Sequence, residues 1–142
     1  MTGNVEQHRE ALIAAACAVR AHAHAPYSGF AVGAAVLDES GRIHAGTNVE
    51  NAAYPQGWCA ETSALAALVA AGSRRVLAVA VCAVAQDPVT PCGGCRQKLR
   101  EFAAGDCPVW LAGTQGLRAT HSLGELLPHA FGPHQLPPGV PT

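Results

Sequence analysis

The run Cys59-Ala60-Glu61-Thr62-Ser63-Ala64-Leu65-Ala66-Ala67-Leu68-Val69-Ala70-Ala71-Gly72 decides how this chain folds. Glu61, Leu65, Leu68 and Val69 recur at i, i+4, i+7 and i+8, which is one face of a helix, and Gly72 is a terminating residue. The helix therefore starts at a thiol and sets a carboxylate, Glu61, in line with its apolar stripe. The next segment, Val76 to Ala85, is nearly continuous apolar sequence, as expected of a central strand covered on both faces. A helix leading directly into such a strand points to a layered α/β protein.

Working outward, Phe30 to Leu37 reads as a strand rich in Val and Ala. Asp38-Glu39-Ser40-Gly41 is a turn, and Arg42 to Thr47 returns as the second arm of a hairpin. Further back, Val5 to Ala25 reads as a helix with Leu12, Ile13, Ala16 and Val19 at helical spacing, stopped by Pro26. Asn48 to Trp58 has no sustained period and contains Pro55 and Gly57, so it reads as a loop, where binding groups concentrate. On the other side, Cys92, Cys95, Leu99 and Phe102 fall at i, i+3, i+7 and i+10 and predict a helix with both thiols on its inner face. Pro108 to Ala112 is a short strand, and Leu123 to Leu127 allows one helical turn. Strand, helix, strand, helix, strand from Arg42 onward implies parallel crossovers and a mixed sheet. Pro128 to Thr142 carries five prolines and reads as an irregular tail. No repeat or linker divides residues 1–142, which read as a single domain.

At 142 residues the chain buries enough surface to fold without disulfide staples. Its six cysteines are thus free for other work, and with no signal-like N-terminus the expected location is cytoplasmic, where thiols stay reduced. No apolar run approaches the length of a membrane span. Nine Lys and Arg against ten Asp and Glu leave a net charge of -1, with no basic stripe for a polymeric nucleic acid. A small, nearly neutral ligand fits this balance.

Three of the cysteines form two clusters at predicted helix starts, Cys59 beside Glu61 and the pair in Pro91-Cys92-Gly93-Gly94-Cys95. Helix N-termini favour thiolates. Alone, Cys92-x-x-Cys95 is equally a closed structural zinc staple or a redox pair. With Cys59 it gives three protein ligands and an open position, the donor set of a catalytic zinc, and Glu61 adds a partly buried acid able to move protons. Cys17, Cys82 and Cys107 sit among apolar residues and read as small core fillers. His22 and His24 read as solvated or capping groups, and Trp58 either walls a pocket or packs its loop.

Cys-Ala-Glu followed by Pro-Cys-x-x-Cys is the zinc-deaminase signature in its three-cysteine form. The chain resembles the small homotetrameric zinc-dependent cytidine deaminase family over nearly its whole length, from Ala25-Pro26-Tyr27-Ser28-Gly29-Phe30 to Leu126-Leu127-Pro128-His129-Ala130-Phe131-Gly132. The resemblance implies a three-layer α/β/α sandwich with a mixed five-stranded sheet, one zinc per chain on Cys59, Cys92 and Cys95, and Glu61 as proton shuttle. It further implies that Asn48 and Glu50 hold the ribose 3′-hydroxyl and that Phe30 stacks near the base. The Ala60 amide would meet the pyrimidine carbonyl, Tyr54 would line the pocket near the sugar, and Phe131 would reach a neighbouring subunit's site. The implied reaction is hydrolytic deamination of cytidine and deoxycytidine, with ammonia released, in pyrimidine salvage. A deaminase of an analogue such as blasticidin S, or a non-catalytic zinc-stabilised domain, is the alternative. One position departs from the family: many relatives carry arginine after this glutamate, and here it is Thr62, which leaves the excess negative charge of three thiolates on zinc to be offset by helix dipoles, the Thr62 hydroxyl or Arg96.

Overall fold

The computed structural model describes residues 2–139. A 3-10 segment, Thr2–His8, runs into α1 (Arg9–Arg20), and the hairpin β1 (Val32–Asp38) and β2 (Ile43–Thr47) follows. Then come α2 (Ala60–Ala70), β3 (Val76–Ala83), α3 (Gly93–Phe102), β4 (Pro108–Gly113), β5 (Gly116–Ser122) and the short α4 (Leu123–Leu126). The five strands form one sheet in the order β2-β1-β3-β4-β5. β3 and β4 are parallel, and the other three pairings are antiparallel, so the sheet is mixed as the sequence implies.

Strand alternation divides the core into two layers. Val32, Ala34, Val36, Val79, Val81, Val109 and Leu111 face Ala64, Leu65, Leu68 and Leu99 of α2 and α3. Ala35, Leu37, Ala78, Ala80, Cys82 and Trp110 face Leu12, Ile13 and Ala16 of α1. Two glycines permit the close approach of these layers. A Cβ on Gly33 would stand 2.0 Å from the Ala16 carbonyl oxygen, and one on Gly46 would stand 2.5 Å from the Ala64 nitrogen. Both clashes are with backbone, which cannot rotate away as a side chain could.

The structure differs from the sequence reading at four places, one being that Cys95 alone of its pair faces inward, since Cys92 precedes α3 and is exposed. The first helix ends at Arg20 instead of Ala25, because the chain then turns to lay His24 beside Val49, with the His24 N–H donating to the Asn48 carbonyl at 3.2 Å. β5 is an edge strand that carries Arg118, Thr120 and His121, and its polar face conceals the strand pattern. Cys17 and Cys82 are not separate fillers but are joined as a disulfide between α1 and β3, with a Cα–Cα distance of 5.2 Å. Cys107 is the core filler expected, with its thiol pushed up to about 12 chiefly by burial. In the tail, Pro133–Gln135 makes one 3-10 turn, and residues 140–142 lie outside the described part.

Candidate active site

Cys59 and Cys92 each occupy the position immediately before a helix, and neither side chain caps its own helix. Their sulfurs are left free at two helix N-termini, where the free amides and the helix dipole favour an anion. α2 and α3 pack on the same face of the sheet. This brings the sulfurs of Cys59, Cys92 and Cys95 within 4.8 Å of one another, with Cys59 and Cys92 3.6 Å apart. Tetrahedral zinc with Zn–S bonds of about 2.3 Å sets its sulfurs about 3.8 Å apart, so the three thiols fit one zinc ion. Among the described residues this is the only cluster of three or more His, Cys, Asp or Glu groups able to hold a metal, and it contains no fourth protein ligand.

The thiols differ in ease of ionisation. Burial pushes the Cys59 thiol up, and its contact with Cys92 adds to this. Burial and then the Glu61 charge push Cys95 well above the usual thiol range. Burial also opposes ionisation of Cys92, but the Cys95 backbone N–H and hydrogen bonds with the Cys59 and Cys95 thiols outweigh it and bring Cys92 down. A metal bound by all three sulfurs would displace the protons that remain on them.

Glu61 lies in the first turn of α2, only 4% exposed, on the buried stripe expected for it. Burial pushes its carboxyl up. It forms part of the wall of a cavity of about 310 Å³ together with Cys59, Cys92, Ala60, Phe30, Asn48, Glu50 and Trp58. Val89 and Thr90 also line it, and no pattern in the sequence distinguished them from an ordinary loop.

The loop before α2 is held by backbone pairing. Val49 and Trp58 exchange two hydrogen bonds of 3.0 Å, and the Glu50 N–H donates to the His24 carbonyl at 2.8 Å. Asn48 fastens the start of β1: its Oδ1 accepts from the Val32 N–H at 2.9 Å and its Nδ2 donates to the Phe30 carbonyl at 2.7 Å. The Glu50 carboxylate accepts from the Ser28 hydroxyl and from the Tyr27 and Ser28 amides, at 2.9 and 3.1 Å, and these bonds hold it below the usual carboxylate range, the Ser28 hydroxyl foremost. Trp58, half exposed, stands on the cavity wall, which resolves its two readings.

Not every anticipated residue reaches the cavity. Tyr54 is 75% exposed and stacks edge-on against Tyr27 in an adjoining depression bordered by Glu50 and Asn51. Phe131 is also exposed, and its carbonyl accepts from Gln97 Nε2 at 2.9 Å. Arg96 does not face the sulfurs: its guanidinium is tied to the Pro91 and Leu126 carbonyls, both at 2.7 Å, and to the Thr90 hydroxyl at 2.9 Å. It braces the loop before α3.

Residues 6–111 match the family described as the cytidine and deoxycytidylate deaminase zinc-binding region. The chain is 44% identical to a cytidine deaminase of Sporosarcina psychrophila over 127 residues, 89% of this chain and 93% of that protein. It is 42% identical to a cytidine deaminase of Mycobacterium tuberculosis, covering 82% of this chain and 84% of the relative. Among solved structures, cytidine deaminase from Burkholderia pseudomallei superposes with a TM-score of 0.80 at 45% identity, over 86% of this chain and 98% of the other. That from Mycobacterium leprae gives 0.73 at 39% identity, over 84% and 97%.

Proposed function

The chain belongs to the cytidine deaminase family, and from that premise we propose that residues 1–142 form one catalytic domain that converts cytidine and deoxycytidine, with water, to uridine and deoxyuridine plus ammonia. The observation that carries this reading is the three-thiol cluster, two of whose members, Cys59 and Cys92, share a cavity wall with the buried Glu61. A non-catalytic zinc-stabilised domain needs a fourth protein ligand, and the cluster offers three.

Zinc held by Cys59, Cys92 and Cys95 supplies Lewis acidity that makes water a nucleophile near neutral pH. Glu61 accepts the proton of the attacking water and passes it to the ring nitrogen N3; it then takes the proton of the C4 hydroxyl so formed and gives it to the departing amine, which leaves as ammonia with the C4 carbonyl behind it. The raised affinity of this buried carboxyl for protons suits both halves of the task. The Ala60 backbone N–H, in the first turn of α2, is free to donate to the pyrimidine carbonyl. Phe30 offers the base an apolar wall.

Glu50, held ionised by Ser28 and Tyr27, accepts a hydrogen bond from the ribose 3′-hydroxyl. Asn48 Nδ2 spends one hydrogen on Phe30 and has a second for the same hydroxyl. Tyr54 borders the sugar end. The ribose clamp favours a nucleoside over a free base or a blasticidin-like analogue. We assign the protein to the cytoplasm and to pyrimidine salvage, as a homotetramer in which Phe131 enters a neighbour's site. The exposure of Phe131 and its absence from the wall of its own cavity support that assembly. Loss of cytidine absorbance in a sample with one zinc per chain is the expected result of an ultraviolet assay. Zinc-loaded protein inert toward cytidine but active on cytosine or blasticidin S would overturn the substrate assignment.

A further inference from the structure

Three thiolates on one divalent ion carry a formal charge of -1, which weakens Lewis acidity unless a cation or hydrogen-bond donor draws charge from sulfur. Arg96 is committed elsewhere. The Thr62 hydroxyl lies 3.6 Å from Cys95 Sγ, and Lys98 Nζ donates to the same hydroxyl oxygen at 2.9 Å. Lys98 is the chain's only lysine and sits one helical turn after Cys95 on α3, facing the α2 residue that follows Glu61.

We infer that Lys98, acting through the Thr62 hydroxyl, is the positioning cation that tunes the zinc-thiolate centre. The order of donors follows from chemistry. An ammonium can only donate, so the Thr62 oxygen accepts, and its own proton is left to point at the sulfur. The ammonium polarises the hydroxyl and strengthens its bond to the thiolate, as linked hydrogen bonds do. Because Lys98 is exposed, its charge reaches the sulfur through this hydroxyl more than through screened solvent. The role matches that of groups around a metal site that hold and tune its ligands without touching the ion.

This inference rests on the zinc reading above, and its test separates the two. Zinc affinity is measured by chelator competition on wild type, Lys98→Met, Thr62→Val, the double variant and Lys98→Arg, with melting of the metal-free proteins recorded alongside. Wild type lacking one zinc per chain refutes the zinc reading itself. With zinc present in wild type, Lys98→Met and Thr62→Val should each weaken binding by about tenfold or more. The double variant should be no weaker than Thr62→Val, because the lysine acts through the hydroxyl, and Lys98→Arg should restore most of the affinity. Metal-free melting temperatures should stay level, which a merely structural role would not give. Affinities of Lys98→Met and Thr62→Val within about twofold of wild type, or additive losses in the double variant, overturn the proposal.

Discussion

Glu61 and Asp38 are both buried carboxylates with opposite surroundings. Glu61 shares the cavity wall with Cys59 and Cys92, and burial raises its proton affinity. Replacing it with Gln keeps the volume and a hydrogen-bonding group but removes the transferable proton. Zinc content should persist while turnover falls at least 10²- to 10⁴-fold, on the order of a lost general acid-base catalyst; near-normal turnover would remove Glu61 from the mechanism. Asp38 is fully buried at the β1–β2 turn. Burial would raise its carboxyl, but hydrogen bonds from His44, Ser40, the Arg42 amide and Ser73, at 2.7 to 3.0 Å, hold it well below the usual carboxylate range. A group with a lowered folded-state value contributes stability that is full above about pH 4, the unfolded range, and is lost as pH falls further. Asp38→Ala should cost about 1–3 kcal/mol in urea unfolding at pH 7, since it strands the buried Ser73 hydroxyl and the half-buried His44 ring. The gap between variant and wild type should narrow between about pH 4 and pH 2; a gap independent of pH would show that the carboxylate charge contributes nothing.

The placement of elements depends on how closely helices approach the sheet. α2 carries Ala60 and Glu61 at one end and rests on β2 where Gly46 leaves room. Gly46→Ala places a carbon against the Ala64 backbone and should destabilise the fold by about 1–3 kcal/mol. Because α2 must shift as a unit, zinc affinity should drop with stability in the same variant. Unchanged zinc affinity would show that the helix start moves independently of the contact. The helix itself was legible: Leu65 and Leu68 at helical spacing are buried, and so is Glu61 in line with them. The start of α3 was legible for the same reason, from Cys95 and Leu99. β5 was not, because neither face of this edge strand is fully buried, so its residues show no apolar alternation. The end of α1 was misplaced because Pro26 is a strong local signal, whereas the backbone pairing of His24 with the Asn48 segment is a contact between distant residues. The glycines that admit the helices carried no readable signal either, since nothing near them in sequence names the helix they face.

For the whole molecule, the sheet separates two regions. The disulfide between Cys17 and Cys82 belongs to the α1 layer, and the zinc thiols belong to the α2–α3 layer. Cys17→Ala should therefore leave zinc at one per chain, as read by metal analysis of the purified protein. Zinc loss would show that the layers are coupled through the sheet. No helix among the described residues is long and apolar enough to cross a membrane. The exposed Phe131 suits contact between copies. Sedimentation should give four chains per particle, and Phe131→Ala should raise KM for cytidine by several-fold without lowering zinc content. A fully active monomer would remove the neighbour's phenylalanine from the site. The sequence by itself determined the donor set, the acid beside it and the layered fold, because these depend on residue type and on spacing within single helices and strands. Tertiary structure alone decided that Arg96 braces a loop, that Cys17 meets Cys82, and that Lys98 reaches Thr62. Each of these depends on which side chains two separate elements bring face to face, and no spacing along one element records that.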